Sequence, residues 1–415
     1  ELDMPGHSAY FLRTFGFAMG TPQGMDVLEK LIDEFCGEFS KEDFPIIHLG
    51  ADEVHIAKPE EFINRMTGRL RAHGRTAVLW NPGLKPADDL TILQGWGDQS
   101  AREKQASLPN PRIDSAGGYL NSFDPLVLPA RYFFWQPCDT PRGDAIQRGG
   151  VLCMWPDIRV DDKENIFRHS PVWPTLLAFS EAIWQGRTAA APALMDRCPD
   201  HGTEAWEFLH EFENRMADHR DRYFRDKSFP WIKLSTVQWR MRDVTNNPDA
   251  AWKTITGTTA NISSPTPAVG ATIELQTVYH VDAPRTVHFW IGFDHIARSQ
   301  RESGGIPKQG EWDANGGTIR INGQPVPPPV WNNPGKYRFE EPTWERPPNE
   351  IPLTDEELYW CREPVAVPLQ KGANLVEMKI HKAYKSQGMQ ATCVPVKKSG
   401  DRWIEDDSVR NTPMP

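Results

Sequence analysis

The chain has 415 residues and an ordinary hydrophobic content of 39%, too long for one ordinary core, so two or three domains are expected. Its formal net charge of -10 argues against a nucleic-acid partner, because a phosphate-binding surface needs clustered Lys and Arg. No apolar run is long enough to span a bilayer.

In chain order, the first half alternates helical patterns with short apolar runs. A helix is expected over 24–39, a strand over 45–50, and a helix over 59–73 that opens on Pro59 and two Glu. Strands follow at 76–80, 91–96, 112–120 and 150–155. A helix over 170–185 starts at a Ser170-Pro171 cap, and an amphipathic helix over about 202–223 closes this half. Repeated βα units imply α/β architecture with a parallel sheet, a (β/α)8 TIM barrel, over residues 1–230. Five strands are readable, with the tail of a sixth at Glu1–Met4. A closed barrel needs eight, since open edges leave backbone groups unpaired. The expectation is therefore a partial barrel, about strands 3–8, in an N-terminally truncated chain.

From about 235 the pattern changes to period two. Runs at 271–280, 285–293, 317–322, 363–369 and 373–380 are separated by Gly, Asn-Gly and Pro turns. They predict an all-β sandwich of the jelly-roll kind over 235–396. Residues 323–352 read as a long ordered loop, and 397–415 as a polar, frayed tail. Six cysteines, Cys36, Cys138, Cys153, Cys198, Cys361 and Cys393, show no CxxC and no His at metal spacing. They read as scattered buried thiols. Sixteen Trp residues are heavy for this length. Trp offers a flat apolar face with one N–H, which suits large cores and equally the C–H face of a sugar ring.

The densest chemical signal is His48-Leu49-Gly50-Ala51-Asp52-Glu53. Successive side chains of a strand point to opposite faces, so two adjacent acids share a pocket only where the strand has ended. Gly50 and Ala51 permit that end and set Asp52 and Glu53 at the C-terminal rim, where barrel enzymes carry their chemistry. Two carboxylates this close do not both ionise freely, and a carboxyl kept protonated is a general acid. An isolated Asp-Glu pair is otherwise an ordinary helix N-terminus.

Here the pair has company. Glu1-Leu2-Asp3-Met4-Pro5-Gly6-His7-Ser8 followed by HLGADE resembles family 20 of the glycoside hydrolases, the β-N-acetylhexosaminidases. In that family a strand ends in an EIDMPGH-like motif and the next in HxGGDE. Trp80, Trp96, Tyr119 and Trp155 each fall at the end of an expected strand, and VWPTLLAFSEAIW (172–184) looks like the family's last barrel helix. The resemblance covers about residues 1–190.

It implies an exo-acting, retaining mechanism in which the substrate's own 2-acetamido oxygen attacks C1. Asp52 would hold the acetamido N–H and stabilise the oxazolinium charge. Glu53 would protonate the leaving oxygen and then activate water. Tyr119 would orient the acetamido carbonyl, and His7 would tune Glu53. Trp80, Trp96 and Trp155 would wall the pocket. Alone, a His at a strand end or a Trp at a rim is ordinarily structural. No metal or organic cofactor is called for. The partner implied is a glycan with a terminal N-acetylhexosamine, and the layout suggests a secreted or periplasmic bacterial protein.

Three positions depart from the family pattern. Asn121 stands where Tyr-Leu-Asp is common, Asp157 where Trp-x-Glu is common, and Ala51 where the second Gly stands. Asn121 and Asp157 would meet sugar hydroxyls, so hydroxyl recognition is expected to differ while the machinery at C1 is kept. Two other functions share these residues: a carbohydrate-binding protein on an inactive hydrolase scaffold, and a glycosidase releasing a disaccharide. In the second half, Trp290 and the stretch 310–331 either pack the sandwich or form an accessory sugar-binding module; packing is the expected role.

Overall fold

A computed structural model describes residues 18–97, 99–120, 126–154, 162–186, 198–257, 267–293, 304–338, 354–383 and 389–412. The described residues fall into two compact units. One lies within Glu1–Tyr119, Gln136–Cys153 and Gln185–Ala191, the other within Leu120–Trp135, Met154–Trp184 and Pro192–Pro415. The chain thus enters the second unit well before about 235, where the sequence rhythm changes.

The first unit is an α/β layer. Its elements are α1 (Pro22–Glu38), β1 (Ile46–His48), α2 (Pro59–Ala72), β2 (Thr76–Asn81), β3 (Ile92–Gly95), α3 (Gln99–Ala106), β4 (Arg112–Asp114) and β5 (Gln147–Gly150). The five strands form a parallel sheet in the order β1-β2-β3-β4-β5, with Ile46 opposite Thr76, Val78 opposite Ile92, and Leu93 opposite Arg112. Thr21 caps α1, its hydroxyl accepting from Gly24 N at 3.2 Å. In α2, Phe62, Ile63, Met66 and Leu70 recur at helical spacing and are buried. Phe62, Ile63 and Met66 share a core with Leu79 of β2 and Leu93 of β3. Arg75 is 4% exposed and donates to the carbonyls of Cys36, Phe39, Ser40 and Phe44, closing the end of α1. Among the described residues β1 and β5 are the edge strands, and Ile46 on β1 is half exposed.

Two strands differ from the sequence expectation. The run 112–120 stops at Asp114, whose Oδ1 accepts from Ala116 N at 3.1 Å while Gly118 N bonds Ser115 O. The short acid draws the backbone into a turn. The last strand lies at 147–150 rather than 150–155; beyond Gly150 a single bridge pairs Cys153 with Tyr119.

The second unit contains α4 (Leu128–Phe134), α5 (Asn165–His169), α6 (Val172–Gln185, all but its last residue), α7 (Glu204–Tyr223) and the antiparallel strands. These are β6 (Gln238–Asp243), β7 (Lys253–Thr256), β8 (Thr272–Val281), β9 (Arg285–Phe293), β10 (Thr318–Ile321), β11 (Gln324–Pro325), β12 (Val365–Leu369), β13 (Gly372–His381), β14 (Ala391–Ser399), β15 (Arg402–Glu405) and β16 (Arg410–Thr412). One sheet runs β11-β10-β13-β8-β6-β7 with β16 also on β8, and the other runs β12-β9-β14-β15. Leu275, Tyr279 and Met378 of the first sheet share a core with Phe289, Ile291 and Cys393 of the second. The Tyr279 hydroxyl crosses that core to donate to Cys393 O at 3.0 Å. The other face of the smaller sheet is covered too. Trp290, Val394 and Val396 pack with Phe133, Ala178, Leu209 and Phe212 of α4, α6 and α7.

Of the segment expected to be a frayed tail, residues 397–412 are described and ordered: β15 pairs with β14 and β16 with β8. Asn411 Oδ1 accepts from Gln238 N at 2.8 Å, and Glu405 pairs with the buried Arg220 at 2.8 Å. Polar composition misleads here because these residues satisfy backbone groups and a buried cation. Trp290, Trp312 and Trp331 are all at most 8% exposed, so they act as packing residues. Of the expected loop 323–352, residues 339–352 lie outside the described residues.

Candidate active site

All five strands of the parallel sheet end on one edge, and the sequence-selected residues that are described gather along it. β1 ends at His48. Gly50 (φ 73), Ala51 (φ 76) and Glu53 (φ 42) then take left-handed backbone, which breaks the alternation of the strand. Asp52 and Glu53 thereby follow the strand end instead of pointing to opposite faces of it. Asp52 is half-buried and Glu53 exposed. The loop is pinned from β2: Trp80 N donates to Gly50 O at 2.9 Å, and Leu84 N to Ala51 O at 2.8 Å. Gly83 makes this possible. A Cβ there would sit 2.5 Å from Trp80 O and 2.7 Å from Ala51 O, both backbone atoms.

Trp80 is half-buried at the end of β2, its ring 4.7 Å from that of His48 at 52°. Trp96 follows β3. Its backbone N donates to Asn81 O and its indole N–H to Pro82 O, each at 3.0 Å, so its plane is held against the neighbouring loop. Tyr119 follows β4 and bridges Cys153. His7, Asn121, Trp155 and Asp157 lie outside the described residues.

The sequence reading passed over His48 and Gln94. Gly50 N donates to His48 Nδ1 at 2.9 Å. Desolvation lowers the His48 pKa from its ordinary value, against opposing contributions from the Asp52 charge and a hydrogen bond with Gln94. Gln94 is buried on β3 and donates to Ser115 Oγ at 3.3 Å; Ser115 Oγ donates to Gly95 O at 2.7 Å. A hydrogen-bonded chain thus runs across the strand ends from His48 through Gln94 to Ser115, with the Asp52 charge acting on His48. The signal was present, since His48 opens the HLGADE motif, but nothing local says that a strand-end His meets a Gln on the second neighbouring strand. Behind the Asp52 loop lies an apolar groove of about 310 Å³ lined by Leu28, Ile32, Phe35, Leu49, Ala51 and Val54, among others. The described residues that converge as a possible metal site, His169, Asp355 and Cys361, belong to the other unit.

No family model and no curated protein matches the sequence. Among solved structures the chain is similar to the chitobiase of Flavobacterium johnsoniae, a GH20 protein. They share 15% identity, with 48% of this chain and 33% of that one covered and a TM-score of 0.32. It is similar also to the GH20 exo β-N-acetylglucosaminidase of Vibrio harveyi solved with N-acetylglucosamine, at 15% identity, 49% and 36% coverage and a TM-score of 0.34. The chain spans about a third of the length of these proteins. Among the described residues no helix is long and apolar enough to cross a membrane.

Proposed function

We propose that this chain carries the catalytic centre of a retaining, substrate-assisted β-N-acetylhexosaminidase. The supporting observation is the left-handed turn that carries Asp52 and Glu53 off the end of β1, with Trp80 in the last two residues of β2, Trp96 directly after β3 and Tyr119 in the loop after β4. The five parallel strands are taken as part of a (β/α)8 barrel, whose chemistry lies at this edge.

In this reading Glu53, the more open of the two acids, delivers a proton to the leaving oxygen. The acetamido oxygen attacks C1 as the glycosidic bond breaks, giving an oxazolinium ion. Glu53 then takes a proton from the water that reopens it. Asp52 accepts the acetamido N–H and balances the cation, and His48 with Gln94 holds Asp52 in place. Tyr119 aligns the acetamido oxygen. Holding nucleophile and C1 in one molecule gains several kcal/mol of entropy already spent on binding. Trp80 and Trp96, with Trp155, pack the sugar, and His7 tunes Glu53. Asn121 and Asp157 reach the outer hydroxyls, where loss of a charge and of a methylene shifts preference toward a modified, differently linked or galacto-configured hexosamine. A secreted or periplasmic location fits a glycan substrate.

The test is hydrolysis of aryl N-acetyl-β-hexosaminides in gluco, galacto and 6-modified forms by the full-length protein and its Glu53→Gln variant. Activity that collapses in the variant is expected. Absence of hydrolysis with measurable sugar binding would favour a binding protein, and best cleavage of plain N-acetylglucosaminide would remove the altered-hydroxyl argument.

A further inference from the structure

In the second unit a different chemistry comes together. His169 ends α5. Asp355 opens a 3₁₀ turn (Asp355–Glu357), and Cys361 follows in a tight turn with its N bonded to Leu358 O at 2.9 Å. One ring nitrogen of His169, one carboxylate oxygen of Asp355 and Cys361 Sγ all lie within 4.8 Å of one another. We propose that these three side chains bind one transition-metal ion of the zinc class, tying α5 to the 354–362 segment.

The donor set carries the argument. Imidazole, carboxylate and thiolate together are ligands of zinc, and none of the hard cations takes sulfur. Bonds of about 2.0–2.3 Å in a tetrahedral site put ligand atoms roughly 3.3–3.7 Å apart. The three donor atoms lie within 4.8 Å of one another. His169 Nε2 and Asp355 Oδ1 share a hydrogen bond of 2.9 Å, which uptake would exchange for a bond from each atom to the ion.

The surroundings suit an ion. Arg168 holds the other Asp355 oxygen at 2.5 Å, as an outer partner holds a ligating carboxylate. Both segments are braced. Thr354 and Glu357 form a capping box, and the Trp360 indole N–H donates to Arg168 O at 3.1 Å. The Cys361 thiol donates to that same carbonyl at 3.3 Å.

His169 is 5% exposed. The ring nitrogen that faces Asp355 is Nε2, and it is this atom that would take the ion; Nδ1, the other ring nitrogen, has no hydrogen-bond partner among the described residues. On uptake the Cys361 thiol releases its proton to water as the sulfur–metal bond forms. Three protein ligands leave a fourth position for water. Local sequence spacing could not reveal the group, since His169 and Asp355 are 186 residues apart.

The experiment strips the full-length protein with a chelator and titrates it with zinc. Calorimetry and thermal unfolding read the binding, and cobalt serves as a spectroscopic stand-in. The expected result is one zinc per chain and a raised unfolding temperature. With cobalt, a sulfur-to-metal charge-transfer band should appear. Cys361→Ser and Asp355→Asn should each weaken affinity by about tenfold or more, and Cys361→Ser should abolish the band. Both variants are near-isosteric, so their folding is checked by circular dichroism. No uptake by the parent, or full affinity retained in Cys361→Ser, would overturn the proposal. Neither outcome depends on glycosidase activity.

Discussion

The two units bury their strands differently. In the parallel sheet the strands are three to six residues long, and β1, which leads into the acids, is exposed at Ile46 and half-buried at Ile47. In the antiparallel unit β8 alternates half-buried and buried residues over ten positions, and β14 is buried at six consecutive ones. Parallel strands depend on layers over both faces. The larger antiparallel sheet needs only one covered face. The candidate chemistry stands in the unit with the shorter, more open strands, and the densest packing in the other. Functional side chains that must meet a ligand are poor packing residues, so the contrast has a physical reason.

That contrast can be broken deliberately. The largest expected effect is on chemistry. Glu53→Gln should lower kcat by about 10²- to 10⁴-fold, roughly 3–5 kcal/mol of barrier, while leaving the unfolding midpoint in place because the side chain is exposed. The converse change is Phe289→Ala in the two-sheet core, where the ring is 0% exposed. It should cost about 3–5 kcal/mol in denaturant titrations.

A pH dependence follows from Glu213 on α7. Burial pushes its carboxyl up to about 7 from its ordinary value of 4.5, although both oxygens accept backbone N–H groups from Leu234 and Ser235. The folded state therefore keeps a proton that the unfolded chain has released above about 4.5. Stability from this group is full below that pH and is lost as pH rises through about 7, by on the order of a few kcal/mol. Urea midpoints measured from pH 4 to 8 would read the slope, and Glu213→Gln should flatten it.

Two smaller effects sharpen the catalytic side. Gly83→Ala would drive a Cβ into the Trp80 and Ala51 carbonyls. It should cost about 1–3 kcal/mol and lower activity without altering any acid. If activity survives, the Asp52 loop is not held as described. Ala51→Gly should do the opposite. Ala51 sits at φ 76, a conformation that costs a residue with a Cβ about 1–2 kcal/mol. Thermal unfolding should show a gain of that order or somewhat less, since glycine also frees the unfolded chain.

Much of the element pattern was legible. The helices expected at 59–73 and 202–223 appear at Pro59–Ala72 and Glu204–Tyr223, and the strand expected at 285–293 appears over those residues. Amphipathic periodicity and cap residues are local, so they read directly. β14 was missed because both of its faces are covered, which erases the period of two, and Pro395 stands within it. α5 is only five residues long, and α4 is seven residues of mostly buried apolar side chains with no polar face to mark a period.

By itself the sequence marked where β1 ends, through Gly50 and Ala51, which permit the break; the left-handed backbone of Ala51 and Glu53 came from the structure. The sequence also set the acids and aromatics at strand ends, and the change of period near 235. Tertiary structure decided the rest. It joined His48 to Gln94 and Ser115 across three strands, drew the helices after α3 into the core of the antiparallel unit, and brought Cys361 to His169. Local patterns record which face of an element is apolar; which elements meet is set by burial and pairing between residues up to nearly two hundred positions apart.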